Sequence, residues 1–294
     1  MSASASILSQ HGCAGAVLMI LGGAWLGRLM GRLIQSMAQA AGYPSSHYYT
    51  LDTGRSWAAR LPIAGHFARP RGTRSRRAMV LEFSSGIAFL ACWLLFPPDK
   101  AACGALFVLS LIGAAAIDLD HMIIPDLFTI GLALAGLALS AFVPALHGIG
   151  AHSAFGFARS LAAAVLGVAL GSALGLWIAI IGEWILDKEV LGFGDVKFLG
   201  AIGAFCGWQG AVFSLFGGAL VGAAVLAAAA ARRRMFGESA VQLFRAQSSP
   251  GEGGGLGWGA QFPFGPMLAA AAAAYFLALH SAVDRFLSCY SVFF

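Results

Sequence analysis

Apolar residues run along this chain in long blocks with few charges inside them, and short polar stretches separate the blocks. Crossing a hydrocarbon core of about 30 Å takes roughly 20 such residues in a helix. Blocks approaching that length lie near 13–34, 79–96, 102–118, 127–146, 158–182, 196–209, 211–231 and 262–283. The pattern predicts an all-α, polytopic membrane bundle of about eight transmembrane helices. The sixth block is short and carries Gly200, Gly203 and Gly207. Its boundary with the seventh, around Gly207-Trp208-Gln209-Gly210, reads equally as one bent helix, which would leave seven.

Three regions follow from the pattern. Residues 1–34 hold the first transmembrane helix, 35–78 form a basic loop, and 79–294 make a membrane-embedded core with a second loop at 232–261. The first loop contains Tyr43-Pro44-Ser45-Ser46-His47 and a basic run from Arg69 to Arg77. The second contains Ser248-Ser249-Pro250-Gly251-Glu252-Gly253-Gly254-Gly255, a composition that favours flexibility.

Composition agrees with the solvent this implies. Hydrophobic residues make up 59% of the chain and charged residues 11%, against about 25% charged in a soluble domain. Lys and Arg then orient the bundle. With the N-terminus outside, all 18 basic residues except Lys100, Arg159 and Arg285 fall on inward segments. The expected topology is N-out, C-out, with the inward loops cytoplasmic. The net charge of +5 is thus an anchor at the lipid surface, and no nucleic-acid partner is expected.

Met1 to Gly12 contains no basic residue, so no cleaved secretory signal is expected and the first apolar block stays as a helix. Cys13, Cys92, Cys103, Cys206 and Cys289 are scattered through apolar stretches without Cys-x-x-Cys spacing. They read as small hydrophobes, neither a disulfide frame nor a zinc site.

The acids are the exception to this apolar economy. Asp118 closes the third block in Ile117-Asp118-Leu119-Asp120, and Asp195 opens the sixth in Gly192-Phe193-Gly194-Asp195-Val196-Lys197. A carboxylate beside hydrocarbon costs on the order of several kcal/mol unless neutralised, hydrated or functional. Two that meet can share one proton, which is acid/base machinery for peptide hydrolysis. The inferred topology puts both at the cytoplasmic side.

Their neighbours have plainer readings. Pro125 disfavours helix at Ile124, so the third helix ends around Asp118 to His121 and Asp126 caps the next. Asp120 and His121 read as solvated polar residues of the turn. Gly192 and Gly194 leave space beside Phe193, allowing unusual torsions and the close approach of an extended peptide. Lys197 reads as an interface anchor, and Pro263-Phe264-Gly265-Pro266 as a helix start in which Phe264 could also touch substrate. Taken alone, Asp195 could simply cap its helix.

Together these residues resemble the type IV prepilin peptidase family of Gly-x-Gly-Asp intramembrane aspartyl proteases. The resemblance rests on the Ile117 to Asp120 and Ile124-Pro125-Asp126 stretches, on Gly192 to Lys197, and on Phe262-Pro263-Phe264-Gly265-Pro266, across roughly residues 79–285. It implies that Asp118 and Asp195 are the catalytic pair. It implies cleavage of the short basic leader of a type IV prepilin or pseudopilin, generally after glycine, in a bacterial inner (cytoplasmic) membrane with the site at its cytoplasmic face.

Peptide hydrolysis by such a pair needs no metal or cofactor. Larger members carry two Cys-x-x-Cys pairs in the first loop and also methylate the new N-terminus with S-adenosylmethionine. The loop here has no cysteine, although Arg55-Ser56-Trp57 and Glu82 are similar to the edges of that region. Zinc is therefore not expected, and methylation is left in question.

Two other classes fit parts of the pattern. A lipid-linked phosphotransferase would use Asp118, Asp120 and Asp126 to bind Mg²⁺, yet the 118–126 stretch has no Lys or Arg for phosphate. A proton-coupled transporter would use buried acids and show inverted repeats, and none is evident.

Overall fold

The computed structural model describes residues 2–40, 62, 76–149, 155–187, 190–236 and 263–291. The expected loops at 35–78 and 232–261 fall largely outside these residues. What is described is helix and turn, with no strand among the described residues.

The helices are α1 (Ser2–Ala40), α2 (Arg76–Leu95) and α3 (Pro98–His121). Then come α4 (Leu127–Phe142), whose first turn is π-helical, α5 (Gly156–Leu186) and α6 (Phe193–Phe236). Last are α7 (Gly265–Ala274) and α8 (His280–Ser291), joined by a π-turn at Tyr275–Leu279. Among the described residues six helical stretches are long and apolar enough to cross a membrane, and α4 is a shorter apolar helix. The protein is a polytopic helical bundle.

Glycine decides how α6 is laid out. Gly207 has φ 68 and ψ −179, a conformation outside helix in the middle of an otherwise helical run. Before it, residues 193–206 run antiparallel to α5, because Gly203 meets Gly167, Leu199 meets Gly171 and Val196 meets Gly175. After it, residues 208–236 run antiparallel to α7, with Gly210 against Tyr275, Gly217 against Ala271 and Gly222 against Met267. The chain therefore turns back at Gly207. The apolar blocks at 196–209 and 211–231 are the two limbs of one reversal, with their outer ends at the same face of the bundle.

Small residues let these helices approach closely, as lipid-embedded bundles require. A Cβ on Gly203 would lie 2.1 Å from the carbonyl oxygen of Gly167. Between them and α3 sits an aromatic core, with Phe107 stacked on Phe205 at 4.7 Å and flanked by Phe276 at 5.4 Å. The outer surface is apolar, including Trp184, Phe142 and Leu220, as it must be against hydrocarbon.

The first two helices also pack antiparallel through Gly23, Gly27 and Gly86. Arg28 and Glu82 are buried between them, Nε to Oε1 at 3.0 Å. Arg28 is thus an internal ion-pair partner, not a loop anchor, which removes one residue from the inward basic tally.

Candidate active site

Asp118 owes its position to how α3 stops. Pro125 cannot continue a helix, and Met122 turns the chain into the left-handed region at φ 53, donating its N–H to the Asp118 carbonyl at 2.9 Å. The side chain of Asp118 is left on the inner face, 5% exposed. Its Oδ2 accepts the backbone N–H of Gly265 at 2.9 Å. Gly265 is the first residue of α7, and that N–H has no partner within its own helix. The Asp118 carboxyl therefore caps α7, at a helix end that favours negative charge.

Asp195 arrives from the opposite chain direction. The turn at Gly192 starts α6, with the Gly192 carbonyl accepting the N–H of Asp195 at 3.0 Å and of Val196 at 3.3 Å. Asp195 therefore sits in the first helical turn. Its Oδ2 packs beside Gly192, where a Cβ would stand 3.4 Å away. Its Oδ1 is buried and makes no hydrogen bond among the described residues. The segments that carry the two carboxyls meet at Ile124, which packs against Gly194 next to Asp195 and against Gly265, the residue bonded to Asp118. A buried carboxyl oxygen without a hydrogen bond, beside a second acid, is a place where a proton can be held.

Ile124 completes the contact between the two segments. It is buried, with Gly194 on one side and Gly265 on the other. A Cβ on Gly265 would fall 3.1 Å from its Cδ1 and 2.6 Å from Oδ2 of Asp118. Neither Gly192 nor Gly194 has a left-handed φ. The expectation of unusual torsions there is corrected: both have ordinary backbone, and a Cβ at either would make only ordinary contacts, 3.4 Å at Gly192 and 3.7 Å at Gly194. Phe264 is half-buried, packs on the core, and its carbonyl accepts the N–H groups of Met267 and Leu268. It therefore fills the helix-start role.

The neighbouring polar residues depart further from their sequence reading. Asp120 is not solvated: its side chain is 5% exposed and paired with Arg77 at the start of α2. Asp126 does not cap α4, since no side-chain cap bond forms. Its Oδ1 instead accepts from Lys197 Nζ at 2.8 Å, and this bond holds the Asp126 carboxyl below its ordinary range. The three acids proposed as an Mg²⁺ cluster thus face three separate partners. Among the described residues no group of three metal-capable side chains gathers, and the phosphotransferase reading loses its geometry. Sequence reasoning missed both ion pairs because each joins positions far apart in the chain, 43 residues for Arg77–Asp120 and 71 for Lys197–Asp126.

Beside Asp195 a half-open groove of ≈ 340 Å³ runs between the end of α5 and the start of α6. Leu176, Ile180, Leu191, Phe193 and Val196 line it, and Glu183 joins them. It lies alongside the Gly-x-Gly-Asp segment, with the Glu183 carboxyl among apolar side chains.

The profile of the type IV leader peptidase family matches residues 105–227, a stretch holding both Asp118 and Asp195. The chain is 32% identical over 202 residues to a prepilin leader peptidase/N-methyltransferase of Klebsiella pneumoniae, covering 64% of this chain and 81% of that protein. It is 35% identical over 143 residues to the protein of that name in Dickeya chrysanthemi, covering 47% and 44%. Against that of Burkholderia pseudomallei (strain 1026b) it is 30% identical over 228 residues, covering 75% and 62%. The chain thus spans four fifths of the first relative and under half of the second. No solved structure matches.

Proposed function

The chain belongs to the type IV leader peptidase family, and from that premise we propose that it removes the leader peptide of type IV prepilins or pseudopilins, with Asp118 and Asp195 as its catalytic pair. The observation that carries this reading is the convergence, around Ile124, of two acid-bearing segments from the end of α3 and the start of α6 at one end of the bundle, one acid buried and the other with a buried oxygen.

The division of labour follows from their partners. Asp118, held by the Gly265 N–H at a helix N-terminus, is the carboxylate; Asp195 carries the proton. Asp118 takes a proton from a water whose oxygen attacks the scissile carbonyl carbon. Asp195 gives its proton to the carbonyl oxygen, and a gem-diol forms. Collapse of the gem-diol breaks the C–N bond, the leaving amine takes the proton held on Asp118, and the diol proton returns to Asp195. The products are an acid and an amine, and both aspartates end as they began. Neither a metal nor a covalent intermediate takes part.

The substrate's leader would be read from the cytoplasmic face of the inner membrane, the side to which the basic segments assign this end of the bundle. The lipid bilayer is the other partner. The curated relatives' names include N-methyltransferase activity. In this chain, the 35–78 loop has no cysteine thiolates to hold zinc, so zinc does not fit. Methylation by S-adenosylmethionine is a separate question that the product mass answers.

The test is to co-express the protein with a candidate prepilin and weigh the product. Asp118→Asn and Asp195→Asn should each abolish leader removal while the protein still inserts in the membrane, and a chelator should leave the wild type unaffected. Full leader removal by either variant overturns the assignment. A mass gain of one methyl group only when S-adenosylmethionine is added would establish the second activity.

A further inference from the structure

We propose that the Lys197–Asp126 ion pair is a latch that keeps the turn after Asp118 in register with the helix start carrying Asp195, which makes both of them positioning residues for catalysis. The inference rests on the catalytic pair proposed above and extends it to residues outside that pair.

Three contacts lie along the same junction. Lys197 Nζ donates to Asp126 Oδ1 at 2.8 Å. The same ammonium stands 5.1 Å from the ring centroid of Phe193, inside the Gly-x-Gly-Asp motif, a distance at which a cation is attracted to an aromatic face. Ile124, two residues before Asp126, fills the space over Gly194. Lys197 therefore ties its own loop to the opposing turn, with Asp195 between Phe193 and Lys197 in sequence.

Asp126 can transmit this hold because it is anchored at its other side. Its backbone carbonyl accepts the N–H of Gly131 at 2.9 Å in the first turn of α4, and Thr129 Oγ1 donates to its carboxyl at 3.4 Å. Only four residues separate Met122, which caps α3, from α4. A shift of Asp126 is thus passed to the end of α3, where Asp118 sits. Coupled acids need their separation kept to within a fraction of an ångström, and a misplacement of about 1 Å can cost on the order of a hundredfold in rate. The pair itself is partly exposed, with side chains 30% and 67% accessible, so its own contribution to stability is small. Its effect should appear in rate, not in folding.

The experiment compares Lys197→Met, Asp126→Asn and the exchanged pair Lys197→Asp/Asp126→Lys in the purified full-length protein with a prepilin substrate. Each single variant should lower kcat roughly fivefold to tenfold with KM within about twofold of wild type, and with an unchanged thermal midpoint in detergent. The exchanged pair should recover most of the lost kcat. Wild-type kcat in both single variants overturns the latch, as does a rise in KM at constant kcat, which would mark a substrate contact. An exchanged pair no better than the worse single variant overturns it too, because the charge would then matter by sign at one position. Asp118→Asn run in parallel separates the two ideas. If it is dead while the latch variants behave as wild type, only the latch fails; if it is fully active, the catalytic pair itself falls and the latch with it.

Discussion

Gly265 donates its backbone N–H to Oδ2 of Asp118 across 147 positions of sequence, and no side chain fits at residue 265 while that bond is made. A methyl group there would stand 2.6 Å from the acceptor oxygen and 3.1 Å from Ile124. Gly265→Ala should therefore push the Asp118 carboxyl off its position. We expect leader cleavage to fall about a hundredfold, the scale on which catalytic groups respond to displacement. Cleavage rates beside a thermal melt in detergent would check it, since loss of rate without loss of folded protein is the expected result.

Asp120 lies two residues from Asp118 and has a different task. Paired to Arg77 and nearly closed off from solvent, it fastens the end of α3 to the start of α2. Asp120→Asn should cost stability by about 1 kcal/mol, the scale of one lost hydrogen bond, and leave cleavage within about threefold of wild type. A dead yet folded variant would show that the wrong acid of that helix end was chosen.

The reversal of α6 rests on one residue. Gly207, at φ 68 and ψ −179, occupies a region essentially open to glycine alone, and a side chain there costs about 1–3 kcal/mol. Gly207→Ala should lower the thermal midpoint measurably. Gly22→Ala, in α1 where nothing lies within 4 Å of the added Cβ, should not.

Arg28 and Glu82 form a buried pair between α1 and α2, exposed by 6% and 0% at their side chains. Arg28→Met alone takes the Arg28 cation away from a buried carboxylate and should destabilise by about 3–5 kcal/mol. Adding Glu82→Leu should return most of that loss, because the desolvation of both charges disappears together. The comparison of the single and double variants by thermal unfolding reads the difference.

The membrane class, the polytopic helical architecture and the two aspartates worth testing were all legible in residue order. Hydrocarbon admits only long apolar helices with their backbone groups satisfied within the helix, so composition and block length determined the class by themselves. Acids at the ends of apolar blocks stand out for the same reason: their cost demands a purpose.

What residue order left open were relations across the chain. Nothing near Asp126 or Asp120 points to Lys197 or Arg77, and local propensity favoured a cap and a solvated turn. Arg77 reaches Asp120 where the start of α2 meets the end of α3, and Lys197 reaches Asp126 where the start of α6 meets the turn before α4. The support of Asp118 by Gly265 has the same origin. A helix supplies its first amide from its own backbone, but which carboxyl receives it depends on how the helices pack, because hydrogen bonds and ion pairs form between atoms that are close in space, whatever their separation in sequence.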